Sequence, residues 1–159
     1  MTLFVISLVL LAASLQASSI CLDHKIGNFG DSILTIRSNP EGKCDEQSER
    51  ELSILLDVVK NSQTQLECDG FLYRGQKSFV GLMFSDGHLD IIHIMKTESD
   101  HDELKDILIT EYGKPSFSSN QVDYFLSEGI SLRTKPYEIS IVSKGVRKQF
   151  DDCMRSLSL

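Results

Sequence analysis

Short apolar runs broken by turn residues occupy the middle of the chain, and three strands follow from them, at 66–74, 78–85 and 88–96. Gly75-Gln76 separates the first two as a two-residue turn with glycine first. Asp86-Gly87 separates the next two, a strong hairpin signal. The result is an antiparallel meander. The spacing then becomes helical. Ser99-Asp-His-Asp-Glu103 opens a helix with acidic residues that suit the positive end of the helix dipole. Leu104, Ile107, Leu108 and Tyr112 form its apolar stripe, and Gly113 and Pro115 stop it. Three further strands are predicted at 121–126, 130–134 and 138–143. A last helix over 146–157 aligns Val146, Phe150, Cys153 and Leu157.

Two helices are predicted ahead of the first meander. Asp31 is a suitable N-cap for 31–38, which places Ile33, Leu34 and Ile36 within two turns. The same residues also suit a strand. Asn39-Pro-Glu-Gly42 ends this element as a loop. Ser48 and Glu51 have capping-box spacing, and Leu52, Leu55, Leu56 and Val59 follow at helical intervals. The fold class expected is α+β: antiparallel meander sheet with helices packed on one side, as two tandem helix-plus-three-strand halves, 18–97 and 98–159. Both fall within one small domain, 18–159.

The central hairpin decides which residues face the core. With Asp86-Gly87 as its loop and no irregularity, Phe84 opposes Leu89, Leu82 opposes Ile91 and Val80 opposes His93. Those side chains share one face. The other carries Phe79, Met83, Ile92 and Ile94 with Gly81 and Asp90. Val80, Leu82, Phe84, Leu89 and Ile91 are therefore assigned to the core. Phe79, Met83, Ile92 and Ile94 become the candidate partner-contact face, because a meander apolar on both sides needs cover on both.

Residues 3–13, LFVISLVLLAA, change the expected compartment. The run is shorter than the about 20 residues of a bilayer span and suits the core of a signal peptide over 1–17, cleaved near Ala17. The front end has no Lys or Arg, leaving the α-amino group as its positive charge. A soluble secreted or periplasmic product starting near Ser18 follows, with no stable membrane insertion. Four cysteines in such a chain read as two disulfides. Three pairings are open, and Cys44–Cys68 with Cys21–Cys153 is preferred. The formal net charge of −7 sets the surface against phosphate backbones, so nucleic acid is not an expected partner.

Candidate chemistry concentrates in SDGHLDIIHIMKTESDHD, residues 85–102, which holds His88, His93 and His101 with Asp86, Asp90, Asp100 and Asp102. His88 and His93 are an odd number apart and point to opposite faces of a regular strand. Asp86 shapes a turn, and Asp100 and Asp102 suit a helix start. A zinc site uses three or four converging ligands, so no metal, cofactor or catalytic residue is assigned. His24 stands alone. No H-E-x-x-H, G-x-S-x-G or glycine-rich phosphate loop occurs.

The segments DELKDILITEYGKP and CDGFLYRGQKSFVGLMFSDGHLDIIHI resemble patterns in small exported bacterial proteins. The helix-plus-three-strand halves over 31–143 resemble the tandem repeats of the β-lactamase-inhibitor-protein-like group. That resemblance implies an α/β repeat fold and non-enzymatic work. The function expected is a protein- or peptide-binding module, in the manner of an inhibitor or envelope-associated factor, with a homodimer among its assemblies. The alternatives are a small secreted hydrolase and a small-molecule carrier.

Overall fold

A computed structural model describes residues 26–53, 56, 59–73 and 75–156, with no account of the side chains of 153 and 154. The segment 1–17, His24, Cys21 and the pairing of Cys21 with Cys153 lie outside the described residues.

The elements run α1 (Ile33–Ser38), β1 (Glu46–Leu52), β2 (Gln63–Tyr73), β3 (Gln76–Ser85), β4 (His88–Met95), α2 (Glu98–Tyr112), β5 (Phe117–Ser118), β6 (Val122–Phe125), β7 (Ile130–Thr134), β8 (Tyr137–Val142) and α3 (Arg147–Ser156). All eight strands join one antiparallel sheet in the order β1-β2-β3-β4-β8-β7-β6-β5. Each half of the chain is a meander, and the two meet where β4 pairs with β8. The fold class is α+β, as expected. No helix among the described residues is long and apolar enough to cross a membrane.

The capping-box helix at 48–59 is corrected. Ser48 and Glu51 lie in β1, which pairs with β2 over its full length from Glu46↔Asp69 to Leu52↔Gln63. The Cys44–Cys68 disulfide, one of the two expected, joins the residues just before β1 to β2. Asp45 N–H also donates to Asp69 O at 2.7 Å. These links hold the segment extended beside its neighbour, and ladder pairing outweighs a local capping preference. Because Cys68 is fully buried, Cys44→Ser is the cleaner way to open the bridge. It closes a loop with a sequence separation of 24. Chemical denaturation should show a loss of about 2–4 kcal/mol, and an unchanged midpoint would contradict a stabilising role.

The other elements differ mainly at their ends. Ser32, not Asp31, caps α1 by accepting from Thr35 N–H at 3.2 Å. Thr97 caps α2 in a capping box with Asp100. Tyr73 pairs with Gln76, so the β2–β3 turn falls one residue earlier than expected. Asp86 and Gly87 both have positive φ, 50° and 85°, as a hairpin turn with the twist of its strands requires. The Asp86 carboxylate also accepts from the N–H groups of Lys60, Asn61 and Ser62 at 2.7–3.1 Å. Those bonds hold its carboxyl below the usual range.

A bulge between Met83 and Phe84 changes the faces of the central hairpin. Phe84 opposes Leu89 as expected, but Met83 then opposes Ile91, Leu82 opposes Ile92 and Val80 opposes Ile94. Asp90 is the extra residue. It accepts from Ser143 Oγ at 2.5 Å, and its own carbonyl accepts from Ser143 N–H. Past the bulge every β4 side chain exchanges faces.

The larger core therefore takes Val80, Leu82, Phe84, Leu89, Ile92 and Ile94, against Ile36 of α1 and Leu104 and Leu108 of α2. Lys105 of α2 reaches the buried Asp123 of β6 at 2.7 Å on the same side. The second face has its own cluster of Ile91, Tyr124 and Val142 under Val146 and Phe150. The ring centroids of Tyr124 and Phe150 are 6.0 Å apart, and the Tyr124 hydroxyl donates to Asp151 of α3. Helices thus cover the first face, and α3 covers one end of the second.

Candidate functional site

Among the described residues, no helix covers the second face from β4 to the β1 edge. Strand alternation places Ser48 and Arg50 of β1, Gln65 and Glu67 of β2, Phe79 and Gly81 of β3, and His93 of β4 on it. Arg50 binds Glu67 Oε1 at 3.0 Å and donates to Gln65 Oε1 at 3.1 Å. Gln65 Nε2 and Ser48 Oγ also donate to Glu67, each at 3.2 Å. This lattice fixes side chains that would otherwise sample many rotamers. Beside it, Glu46, Gln47, Ser48, Glu67, Asp69 and Phe79 line a shallow cleft. Phe79 is 37% exposed and Leu72 is 52% exposed. Leu72 stands opposite Lys77, which precedes Phe79 by two residues on the same face. Two large apolar side chains therefore emerge together at this end of the sheet.

Gly81 separates the acidic end from a second polar group. A Cβ there would lie 3.2 Å from Gln65 Nε2 and 3.8 Å from His93 Cβ. His93 Nδ1 lies 2.9 Å from Ser140 Oγ and 3.3 Å from Glu138 Oε1. Ser140 Oγ donates to Glu138 Oε1 at 2.7 Å, and Arg133 Nη2 donates to the same oxygen at 2.8 Å. Burial pushes the Glu138 carboxyl up. Hydrogen bonds from His93 and Ser140, with the charges of His93 and Arg133, outweigh it and hold the group at about 2.

A nucleophile relay needs an imidazole between hydroxyl and acid, one ring nitrogen to each. In this cluster His93 Nδ1 faces both partners and Ser140 donates directly to the carboxylate. Ser140 is also buried. The arrangement serves as a polar pin joining β4, β8 and β7. Its stability has a defined pH dependence. A folded-state pKa below the unfolded value contributes fully above the ordinary glutamate range and is lost as pH falls through the folded value. The unfolding free-energy gap between wild type and Glu138→Gln should thus be largest near neutrality. It should close between about pH 4.3 and pH 2. A gap that is constant across that window would contradict the assignment.

The histidine-rich stretch is dispersed. His88 Nδ1 lies 3.0 Å from Gly30 O, His93 joins the pin, and His101 is buried in α2 beside the Tyr137 ring at a centroid distance of 5.5 Å. Of the candidate contact residues, Phe79 and Met83 share the second face. Met83 is half-buried against the α3 cluster. Ile92 and Ile94 do not belong with them: the bulge turns both into the larger core, where Ile92 is 1% exposed. Ile91, assigned to the core of the first face, packs instead under α3.

Sequence reasoning missed Leu72, the β1 polar lattice and the Glu138 pin. Alternating polar residues in EQSEREL were the available signal for β1. Compared with known protein families, curated proteins and solved structures, the chain shows no match.

Proposed function

We propose that this chain is an exported, non-catalytic protein- or peptide-binding module that uses the open end of its second sheet face. One observation carries the reading: Phe79 and Leu72 are exposed together where no described helix covers the sheet. A buried polar pin and a hydrogen-bonded lattice hold the surrounding face rigid, which lowers the entropy lost on binding. The Cys44–Cys68 bridge supports export, since such bonds persist in oxidising compartments. The hydrolase alternative lacks support from the His93 cluster, where the imidazole does not stand between hydroxyl and acid.

Photo-cross-linking tests the location. Benzophenone-bearing phenylalanine is placed at Phe79 or, as a control, at Leu34, which is 77% exposed on α1 at the opposite face. Exported proteins of the source should cross-link from position 79 and not from 34. Equal labelling from both would remove the argument for this face.

A further inference from the structure

The outer edge of the sheet next to that face points to a particular partner chemistry. Among the described residues β1 is a terminal strand, and its partner on one side only is β2. Its pairing with β2 runs unbroken over seven residues. Every β1 residue but Leu52 is exposed. Such an edge presents unpaired backbone donors and acceptors to a further strand. Proteins blunt edges with charged side chains, lysine above all, and with proline, bulges or very short strands. β5, at the other edge, has two residues. β1 has no lysine, no proline and no bulge against β2.

What β1 has is negative charge. Arg37 pairs with Glu49, Arg50 with Glu67 and Lys77 with Asp45. Among the described residues, Glu46, Glu51 and Asp69 have no ion pair. A second copy of this chain adding its own β1 would set three glutamates and one arginine against the same set, a net like-charge encounter, and like charges on paired strands oppose association. A basic strand meets a like charge only at Arg50, which Glu67 already pairs.

Resting on the binding-module reading, we propose that β1 is a strand-addition site for an extended lysine- or arginine-rich segment of an exported protein. Main-chain hydrogen bonds to the free edge supply the pairing, and alternate side chains supply the selectivity. Those on the second face enter the cleft beside Glu46 and Ser48. There a basic head meets the carboxylates of Glu46 and Asp69, while its methylene stem lies toward the exposed Phe79 ring.

The test uses the full chain and three synthetic peptides matched in length to β1. The first alternates lysine and threonine, the second has glutamate for lysine, and the third is the lysine peptide N-methylated at alternate amides. The lysine peptide should bind and slow hydrogen exchange of β1 amides. The other two should bind at least about tenfold more weakly, as should the lysine peptide with Glu46→Gln/Asp69→Asn. Those side chains are exposed, so folding is not at stake. Equal binding of the N-methylated peptide, without protection at β1, would overturn strand addition and leave charge attraction alone. No lysine-peptide binding, in a protein that still cross-links a partner from position 79, would overturn this proposal and spare the binding-module reading. Failure of both would overturn both.

Discussion

Ile92→Asp should leave the chain unfolded, with no cooperative thermal transition. Ile92 is on β4, paired with Leu82 on one side and Ile141 on the other. It belongs to the larger core, where Leu104 and Leu108 of α2 also pack. Truncating a buried isoleucine costs about 2–5 kcal/mol from lost transfer energy and the cavity left behind. An ionised carboxylate at the same place has no partner and adds a desolvation cost of several kcal/mol. A domain of this size has roughly 5–15 kcal/mol in all. Circular dichroism with heating checks the outcome. A folded Ile92→Asp protein would mean that the Met83/Phe84 bulge is misplaced and that Ile92 faces outward.

Phe79→Ser should have the reverse profile. Phe79 is one residue from the fully buried Val80 but on the open face. The substitution removes a ring that is 37% exposed in the free chain, so its effect on folding stability should be about 1 kcal/mol, well short of unfolding. In a complex the same ring, packed by a partner as an interface anchor, costs about 2 kcal/mol to truncate. Its loss should weaken partner binding by roughly ten- to hundredfold. Serine is preferable to aspartate because Glu46, Glu67 and Asp69 already line the cleft. A new carboxylate would alter the field as well as the contact area.

Much of the fold was legible because local signals agreed with tertiary demand. Asp86-Gly87 needed positive φ at both positions and received it. The stripe of α2 pointed Leu104 and Leu108 at the sheet, and Gly113 and Pro115 closed the helix. The last strands and α3 fell close to their expected places. Where local and long-range terms conflicted, reading failed. Ser48 and Glu51 suit a helix start, but pairing with β2 and the Cys44–Cys68 link decide the outcome. An edge strand exposed on both sides lacks the apolar alternation that marks a buried one. The bulge at Asp90 was equally hidden. One extra residue exchanged Ile91 with Ile92 and moved Ile94, and its anchor, Ser143, lies far along the chain.

The candidate site was partly legible for the same reason. Phe79 precedes the bulge in the hairpin's outer part and belongs to β3, so the shift in β4 did not alter its face. Leu72 depended on the irregularity between Cys68 and Phe71, which changes which β2 residues oppose β3. The Glu138 pin gathers residues from β4, β7 and β8, and no spacing in one segment announces it.

Quantitative affinity capture reads out whether Phe79 anchors a partner. Wild-type chain and Phe79→Ser, matched for thermal stability, are incubated with the exported proteins of the source, and retained proteins are measured by mass spectrometry. A defined partner should be enriched on the wild type and lost from Phe79→Ser. The same partner retained equally by both would contradict a binding surface centred on Phe79.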